Sequence, residues 1–402
     1  MARINKAGDA GTHKDRALLF TSIGHFSNDG MFLLFTLLIV YYSEIGVSLV
    51  LLGFFAIFYN LLSGIVTPKV GSVVGRSDRG TFIAFGIAIE GLAVVLFAAS
   101  FAFHSLLYEF MLLGLIALGV GQAFYHPIGS SVLSHTYGSG VPQALGINGA
   151  MGSIGRTVFP IFITLAIAAY GTSIGLNAVA GVVFVLAAVL YLGLRMFSQR
   201  YYKSYSPKTR KGPDYAHALK ENSGFIKSLT TVIFFRSLFM IGTETFIAEY
   251  VFNIIGSNVI VGTFLTLSFI PAVLGQLFFG RFAQKYSGRA AVVVTTIFEV
   301  PAFVVFLMVS NIAYLIIAYG LFTFLAFTGF AVIFSYVDQV IPQRHVTAIG
   351  AKVWGIGDVL GGAAGIIVAT LLLYAGLTLA HAMWAMVAFG VLSIALLPLL
   401  RK

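Results

Sequence analysis

Apolar runs of about 20 residues recur along this chain from one end to the other, and they restrict its fold more than any other feature. An α-helix rises ~1.5 Å per residue, so about 20 apolar residues cross a hydrocarbon core of about 30 Å. Of the 402 residues, 59% are hydrophobic and 9% are charged, whereas a soluble domain carries about 25% charged residues. Strand-like alternation is absent from the sequence. The sequence therefore predicts an all-α integral protein of the lipid bilayer.

Twelve such runs predict twelve transmembrane helices. A polar tail, residues 1–16, precedes the first run, and residues 198–224 form the one long polar stretch. We interpret this stretch as a cytoplasmic linker between two sets of six helices, residues 17–197 and 225–402. The twelve runs are centred on residues 17–42, 48–67, 81–103, 105–131, 143–169, 173–195, 225–255, 258–279, 290–309, 312–337, 348–373 and 377–399.

The positive charges predict the orientation of the chain. Of 24 Lys and Arg residues, three fall inside the runs: Arg156, Arg236 and Lys352. The others occupy the N-terminus, alternate loops, the linker and the tail, and every intervening loop lacks both residue types. This is the positive-inside pattern, and with twelve spans it places both termini in the cytoplasm. The net charge of +10 thus indicates a multi-pass protein of the plasma membrane rather than a nucleic-acid partner.

The two halves of the sequence repeat each other. At a shift of 209 residues, Gly71 falls on Gly280 and Glu90 falls on Glu299, each pair beside a basic loop. Further along, at a shift of 204, "ALGIN" at 144–148 falls on "AIGAK" at 348–352. Loop position and charge agree with these coincidences, so we expect two related bundles.

This organisation resembles the major facilitator superfamily, which has a basic loop between the second and third helices of each half. Of its loop motif, roughly G-x-x-x-D-R-x-G-R, Gly71 and Arg76 fit, but Gly75 stands at the acid position and Asp78 at a glycine position. The resemblance implies two pseudo-symmetric six-helix bundles, with structural or gating roles for Gly71, Arg76, Asp78 and Gly280. In the family the acid helps to lock the bundles together, and this chain lacks it in that loop.

Three stretches resemble one branch of that superfamily more narrowly, the fosmidomycin-resistance branch. They are "GHFSND" at 24–29, "FYHPIGSSV" at 124–132 and "GINGAMGSIG" at 146–155. The resemblance implies proton-driven export, of a cargo that need not be the drug. It also implies that the first, fourth, seventh and tenth helices line a central path.

Two ionisable residues stand in the middle of the first run. His25 and Asp29 are four residues apart, and so share a helical face. A carboxylate at bilayer depth is costly, which makes it a functional-site hypothesis by default. We predict that Asp29 carries a proton and that His25 relays or tunes it. The alternative is that the pair hydrogen-bonds a neighbouring helix and never titrates.

Polar residues of the fourth and fifth runs are candidates for the substrate cavity. Gln122 and His126 lie one turn apart, and the alternative for His126 is a hydrated helix end. Asn148 and Arg156 belong to the glycine-rich fifth run. Arg156 cannot lose its charge, so it is either a counter-ion for Asp29 or Glu90, or a contact for an anionic substrate.

Two further groups of charged residues lie within the predicted helices. Arg236 and Glu244 of the seventh run share a face but are two turns apart, too far to bridge. We predict Arg236 in the cavity and Glu244 in proton coupling. Glu90 and Glu299 occupy repeat-equivalent sites, and we predict that they pack against neighbouring helices rather than contact the substrate.

The chain lacks the residues of several other functions. It has no cysteine, and its eight histidines show no paired ligand spacing, so we expect neither a metal nor a cofactor. No nucleotide motif is present, and no clustered nucleophile and base predict an enzyme. The two-fold repeat favours a moving carrier over a channel. We predict a monomeric, proton-coupled exporter of a small organic molecule, with uptake of a nutrient by the same fold as the alternative.

Overall fold

The computed structural model describes residues 2–73, 79–137, 140–201, 217 and 219–400, and every regular element in these residues is helical. Within them, twelve helical units are long and apolar enough to cross a membrane. The units are α1 (Ala2–Phe32 and Leu34–Glu44), α2 (Leu49–Val73), α3 (Arg79–Ala102), α4 (Leu107–Tyr137), α5 (Val141–Tyr170), α6 (Thr172–Tyr201), α7 (Ser223–Glu244 and Ile247–Ile255), α8 (Asn258–Lys285), α9 (Gly288–Leu307), α10 (Ile312–Ala326 and Gly329–Val340), α11 (Gln343–Lys352, Val353–Val359 and Leu360–Tyr374) and α12 (Leu379–Ala395).

Several of these units are interrupted near the middle of the predicted bilayer. Units α1, α7 and α10 each consist of two α-helical segments joined by one or two residues. In α11, the segment Val353–Val359 is a π-helix between two α-helical segments. Such interruptions free backbone groups or change the register of the side chains, and they are common at functional sites.

The helices pack in the same pattern in both halves. In the first half α1 lies against α5, α4 against α2 and α3, and α3 against α6. In the second half α7 lies against α11, α10 against α8 and α9, and α9 against α12. The chain is thus two pseudo-symmetric six-helix bundles, joined mainly where α5 meets α8 and α2 meets α11.

The loops repeat as well as the helices. The described residues with a positive φ angle are all glycines: Gly46 and Gly171 in the first half, Gly256 and Gly376 in the second. Gly256 follows α7 as Gly46 follows α1, and Gly376 follows α11 as Gly171 follows α5. A side chain is disfavoured at φ angles of 71° to 89°, so glycine is the natural residue at all four turns.

The surface and the interior reverse the pattern of a soluble protein. Large apolar side chains face outward, including Phe58, Leu192 and Ile317, each more than half exposed. Asp29, Glu90 and Glu299 instead lie inside the bundles with 1% exposure or less. An outward apolar belt around polar groups suits a hydrocarbon solvent.

The predicted loop motif is only partly visible. Arg76 and Asp78 lie outside the described residues, as does most of the predicted linker. Gly71 belongs to the last turn of α2. Gly280 lies in α8 at the crossing with α5, where a Cβ atom on Gly146 would come 3.2 Å from the Gly280 Cα atom. The halves therefore touch backbone to backbone at this crossing.

Candidate functional site

The stretch "GHFSNDG" lies at the centre of α1, and its polar side chains point into the first bundle. Asp29 is the midpoint of the apolar span Lys14–Glu44. His25, Asn28 and Asp29 are at most 1% exposed. His25 lies one helical turn before Asp29, and its Nε2 atom is 3.1 Å from Asp29 Oδ2.

Helix α5 brings a fixed positive charge to this carboxylate. Arg156 Nη2 lies 2.8 Å from Asp29 Oδ2. The approach depends on glycines, because a Cβ atom on Gly155 would overlap the carbonyl oxygen of Phe26 in α1. A Cβ atom on Gly152 would lie 2.5 Å from Asp29 Oδ2. The glycine-rich sequence of α5 is thus what allows Arg156 to reach Asp29.

Replacing Gly152 with alanine is therefore expected to damage the site directly. The added methyl group would meet both Asp29 and His25, and such overpacking costs about 1–3 kcal/mol. We expect a lower thermal unfolding midpoint. The matched control is Gly181→Ala in α6, where a Cβ atom meets nothing within 4 Å. Equal behaviour of the two variants would contradict the close approach of α1 and α5.

Helix α4 closes the other side of the carboxylate. His126 Nε2 is 3.5 Å from Asp29 Oδ1, and the Asn28 side-chain amide donates to the same oxygen at 3.1 Å. Gln122 holds this arrangement by donating to the Asn28 carbonyl oxygen at 2.6 Å. Asp29 is consequently surrounded by two imidazoles, one guanidinium and one amide.

The hydrogen bonds around His25 indicate where a proton resides. His25 Nδ1 lies 2.9 Å from Asn148 Oδ1, and the Asn148 amide nitrogen donates to Thr21 Oγ1 at 3.2 Å. This orientation makes Asn148 Oδ1 an acceptor, so His25 Nδ1 carries a hydrogen. His25 Nε2 then faces Asp29 Oδ2 at 3.1 Å.

A cavity of about 710 Å³ lies between the two bundles beside this cluster. Phe32 and Phe327, one from each half, place their ring centres 5.1 Å from the Arg156 guanidinium. The polar and aromatic lining includes Tyr59, Asn60, Gln122, His126 and Arg156 from the first half and Gln276, Phe327, Phe330, Trp354 and Asp358 from the second. The site can therefore contact a molecule with both apolar and acidic parts.

The structure separates the predicted cavity residues into two groups. Gln122, His126 and Arg156 line the cavity. Asn148 and Arg236 are absent from its lining in this conformation. Asn148 lies behind the cluster, where it binds His25 and the Tyr125 hydroxyl group, because the fifth helix turns that face toward α1 and α4.

Arg236 is committed to a buried ion pair. Its Nε atom donates to Glu299 at 2.9 Å and its Nη2 atom at 2.7 Å. The same Nη2 atom also donates to the carbonyl oxygens of Leu325 and Ala326, where the first segment of α10 ends. Arg236 thus satisfies backbone groups exposed by the break in α10, next to Phe327 of the cavity wall.

Glu244 lies at a second, smaller cavity of about 260 Å³ that shares Phe32 and Tyr59 with the first. It accepts a hydrogen bond from Thr36 of α1 at 3.0 Å. Further out, Asn258 of α8 donates to Glu44 of α1 at 2.7 Å. These bonds join the bundles on the side away from the chain termini.

Sequence reasoning missed two residues of the cavity wall, Trp354 and Asp358. Both lie in the π-helical segment of α11. Asp358 accepts a hydrogen bond of 2.5 Å from Ser237 of α7, and the Trp354 ring centre is 4.7 Å from that of His126. Regular α-helical periodicity places Asp358 on a different helical face from Lys352. A π-helix has more residues per turn, so it changes the face on which each later side chain lies. The small residues of "GIGDV" give no periodic signal of this shift.

His25, Asp29 and His126 are also the one group of described residues that could converge on a metal ion, with ligand atoms within 4.8 Å of one another. The guanidinium of Arg156 already contacts the Asp29 carboxylate, and its fixed charge disfavours a divalent cation there. The donor set fits a proton better than a metal.

Comparison with known proteins agrees with this architecture. The family model "Major Facilitator Superfamily" matches residues 18–351. The chain is 22% identical over 350 residues to the fosmidomycin resistance protein of Escherichia coli K12, covering 85% of this chain and 82% of that protein. It is 22% identical over 342 residues to the uncharacterized MFS-type transporter YfnC of Bacillus subtilis 168, covering 81% and 79% respectively.

A solved structure shows the same fold. The human organic anion transporter MFSD10 (TETRAN) superposes with a TM-score of 0.71 at 16% identity, over 96% of this chain and 99% of that chain.

Proposed function

The chain belongs to the major facilitator superfamily of membrane transporters, and from this we propose that it is a secondary active transporter that exports a small organic molecule in exchange for protons. We propose that it acts as a monomer in the plasma membrane with both termini in the cytoplasm. The distribution of Lys and Arg supports this orientation. Export is supported by the similarity to a fosmidomycin resistance protein.

The observation that carries the proposal is the approach of His25 Nε2 to Asp29 Oδ2 at 3.1 Å, next to the Arg156 guanidinium at the cavity wall. We propose that this pair binds and releases the coupled proton. Antiport requires that proton and cargo exclude each other. A cargo that pairs with the negative charge of Asp29 would meet this requirement, because a proton on the carboxyl group removes that charge. Rocking of the two bundles would then expose the site to each side in turn.

A second candidate function, uptake of an organic acid together with protons, is favoured by the pairing of Arg156 with Asp29. Protonation of Asp29 would weaken its attraction for Arg156 and free the guanidinium to bind an acid. The Arg156 Nε atom already has no hydrogen-bond partner among the described residues. Proton and acid would then bind together rather than compete, and linkage would make the coupling reciprocal.

The sign of the pH effect separates the two functions. Purified protein in liposomes is given fosmidomycin, or a set of simple mono- and dicarboxylates, under a pH gradient of either direction. An antiporter accumulates its cargo in vesicles with an acidic lumen, whereas a cotransporter accumulates it when the outside is acidic. Accumulation of cargo that is the same under both pH gradients would contradict proton coupling altogether.

Alternating access predicts that a crosslink away from the termini stops transport. Because the chain has no cysteine, Glu44→Cys with Asn258→Cys introduces a unique pair at a contact of 2.7 Å. A short cleavable thiol crosslinker should reduce transport to background, and cleavage should restore it. The two single-cysteine variants are the controls. Full transport by the crosslinked protein would contradict opening between these helices.

A further inference from the structure

Glu90, in the middle of α3, is a fully buried carboxyl group that the cluster around Asp29 does not use. Its exposure is 0%. Neither of its oxygens has a hydrogen-bond partner in the part of the chain that the structure describes. Buried carboxyl groups are normally paired or hydrogen-bonded, so this one needs an explanation.

Helix α4 packs directly against the side chain of Glu90. Helix α4 approaches through Gly121, where a Cβ atom would lie 2.8 Å from Glu90 Cγ. The same Cβ atom would lie 2.9 Å from the carbonyl oxygen of Gly86 in α3. The contact is thus backbone against side chain. A carboxyl group so enclosed takes up a proton rather than remain charged.

Comparison of the two halves shows which partner is missing. Glu299 is the counterpart of Glu90 at a shift of 209 residues, and it is paired with Arg236. Helix α1 is the counterpart of α7, and it contains no Lys or Arg after Arg16. The first half therefore keeps the carboxyl group without a corresponding cation.

The ionisable groups whose charges reach Glu90 add no cation. They are Asp29 of α1 and Tyr59 of α2. On α4 the adjacent residue is Gly121, and the described tyrosine of α6, Tyr191, is 45% exposed. A negative charge on Glu90 would repel a negative charge on Asp29, so the protonation of one influences the other.

We propose that Glu90 is a second proton-binding carboxyl group of this transporter, protonated in the conformation seen here and deprotonated when α4 moves away from α3. Helix α4 connects it to the cavity, because Gly121 contacts Glu90 and the next residue, Gln122, lines the cavity wall. The role of Glu90 in transport rests on the proposed proton coupling, whereas the proton site itself does not.

Proton binding by Glu90 can be measured without any cargo. Purified wild-type protein, Glu90→Gln and the matched repeat variant Glu299→Gln are moved from alkaline to acidic buffer. Proton uptake is counted, and infrared difference spectra record the carbonyl stretch of protonated carboxyl groups. We expect Glu90→Gln to take up one proton fewer than wild type and to lose one carbonyl band. Glu299→Gln should keep that band, since this variant leaves Glu90 unchanged.

The unfolding temperature distinguishes a protonated Glu90 from a carboxylate with a purely structural role. Glutamine mimics a neutral acid, so Glu90→Gln should unfold at the wild-type temperature, whereas Glu299→Gln should unfold earlier. Unchanged proton uptake and an unchanged band in Glu90→Gln would overturn the proposal.

Failure of the Glu90 proposal can be distinguished from failure of the proposed transport function. Gradient-driven transport by wild type with unchanged proton uptake in Glu90→Gln would overturn only the role of Glu90. Absence of gradient-driven transport, with one proton fewer in Glu90→Gln, would refute proton coupling and leave Glu90 as a proton site.

Discussion

Replacing Asp29 with asparagine is expected to abolish transport driven by a pH gradient while the protein still folds. Asparagine keeps the size of the side chain but cannot take up a proton, whereas we propose that the pair formed by His25 Nε2 and Asp29 Oδ2, 3.1 Å apart, binds one. Arg156 would also lose the carboxylate that it contacts at 2.8 Å. Accumulation in liposomes should fall to the level reached without a gradient, whichever direction of transport the wild type shows.

The matched control is Glu109→Gln, which removes a carboxylate at the exposed start of α4, outside the site. This variant should retain gradient-driven transport. Thermal unfolding of both variants verifies that a loss of transport is not a loss of folded protein. Unchanged gradient-driven flux in Asp29→Asn would refute Asp29 as the proton carrier and favour a purely structural bond between helices.

The largest effect on stability is expected from breaking the ion pair of the second half. Arg236→Met leaves Glu299 buried without its cation and removes the donor to the carbonyl oxygens of Leu325 and Ala326. Removal of one partner of a buried pair costs about 3–5 kcal/mol. The free energy of unfolding should fall by that order, measured by thermal or denaturant unfolding in detergent.

The double variant Arg236→Met with Glu299→Met tests whether the unpaired charge of Glu299 causes the loss of stability. Replacing both partners by apolar side chains removes the stranded charge, so part of the lost stability should return. Recovery should be incomplete, because the carbonyl oxygens at the break of α10 still lack the Arg236 donor. A double variant less stable than Arg236→Met alone would contradict this account.

The fold was predictable from the sequence because the bilayer itself is a strong constraint. The length of the apolar runs follows from the thickness of the bilayer and its demand for satisfied backbone groups, and the placement of Lys and Arg follows the positive-inside rule. The twelve helices and two bundles are accordingly confirmed by the structure and by the family match. Helix interruptions were not predicted, since apolar runs look alike whether or not they break.

The site was only partly predictable, for a different reason. A spacing of four residues brings His25 and Asp29 together within one helix, so local geometry is enough. The pairing of Arg236 with Glu299 joins residues 63 apart in the chain, and a helical face alone does not reveal its partner. Glu90 and Glu299 appear equivalent in the sequence, yet only the packed structure shows that one is paired and the other is not.

The π-helical segment of α11 also marks a difference in length between the halves. Ala144 and Ala348 correspond in the repeat, as do the turn glycines Gly171 and Gly376, so the stretch before the turn glycine has 27 residues in the first half and 28 in the second. One added residue is what a π-bulge accommodates without ending a helix. The π-helical segment carries Trp354 and Asp358, which line the cavity. Two halves that share one repeat can in this way present different side chains to the cavity, Arg156 from the first half and Asp358 from the second.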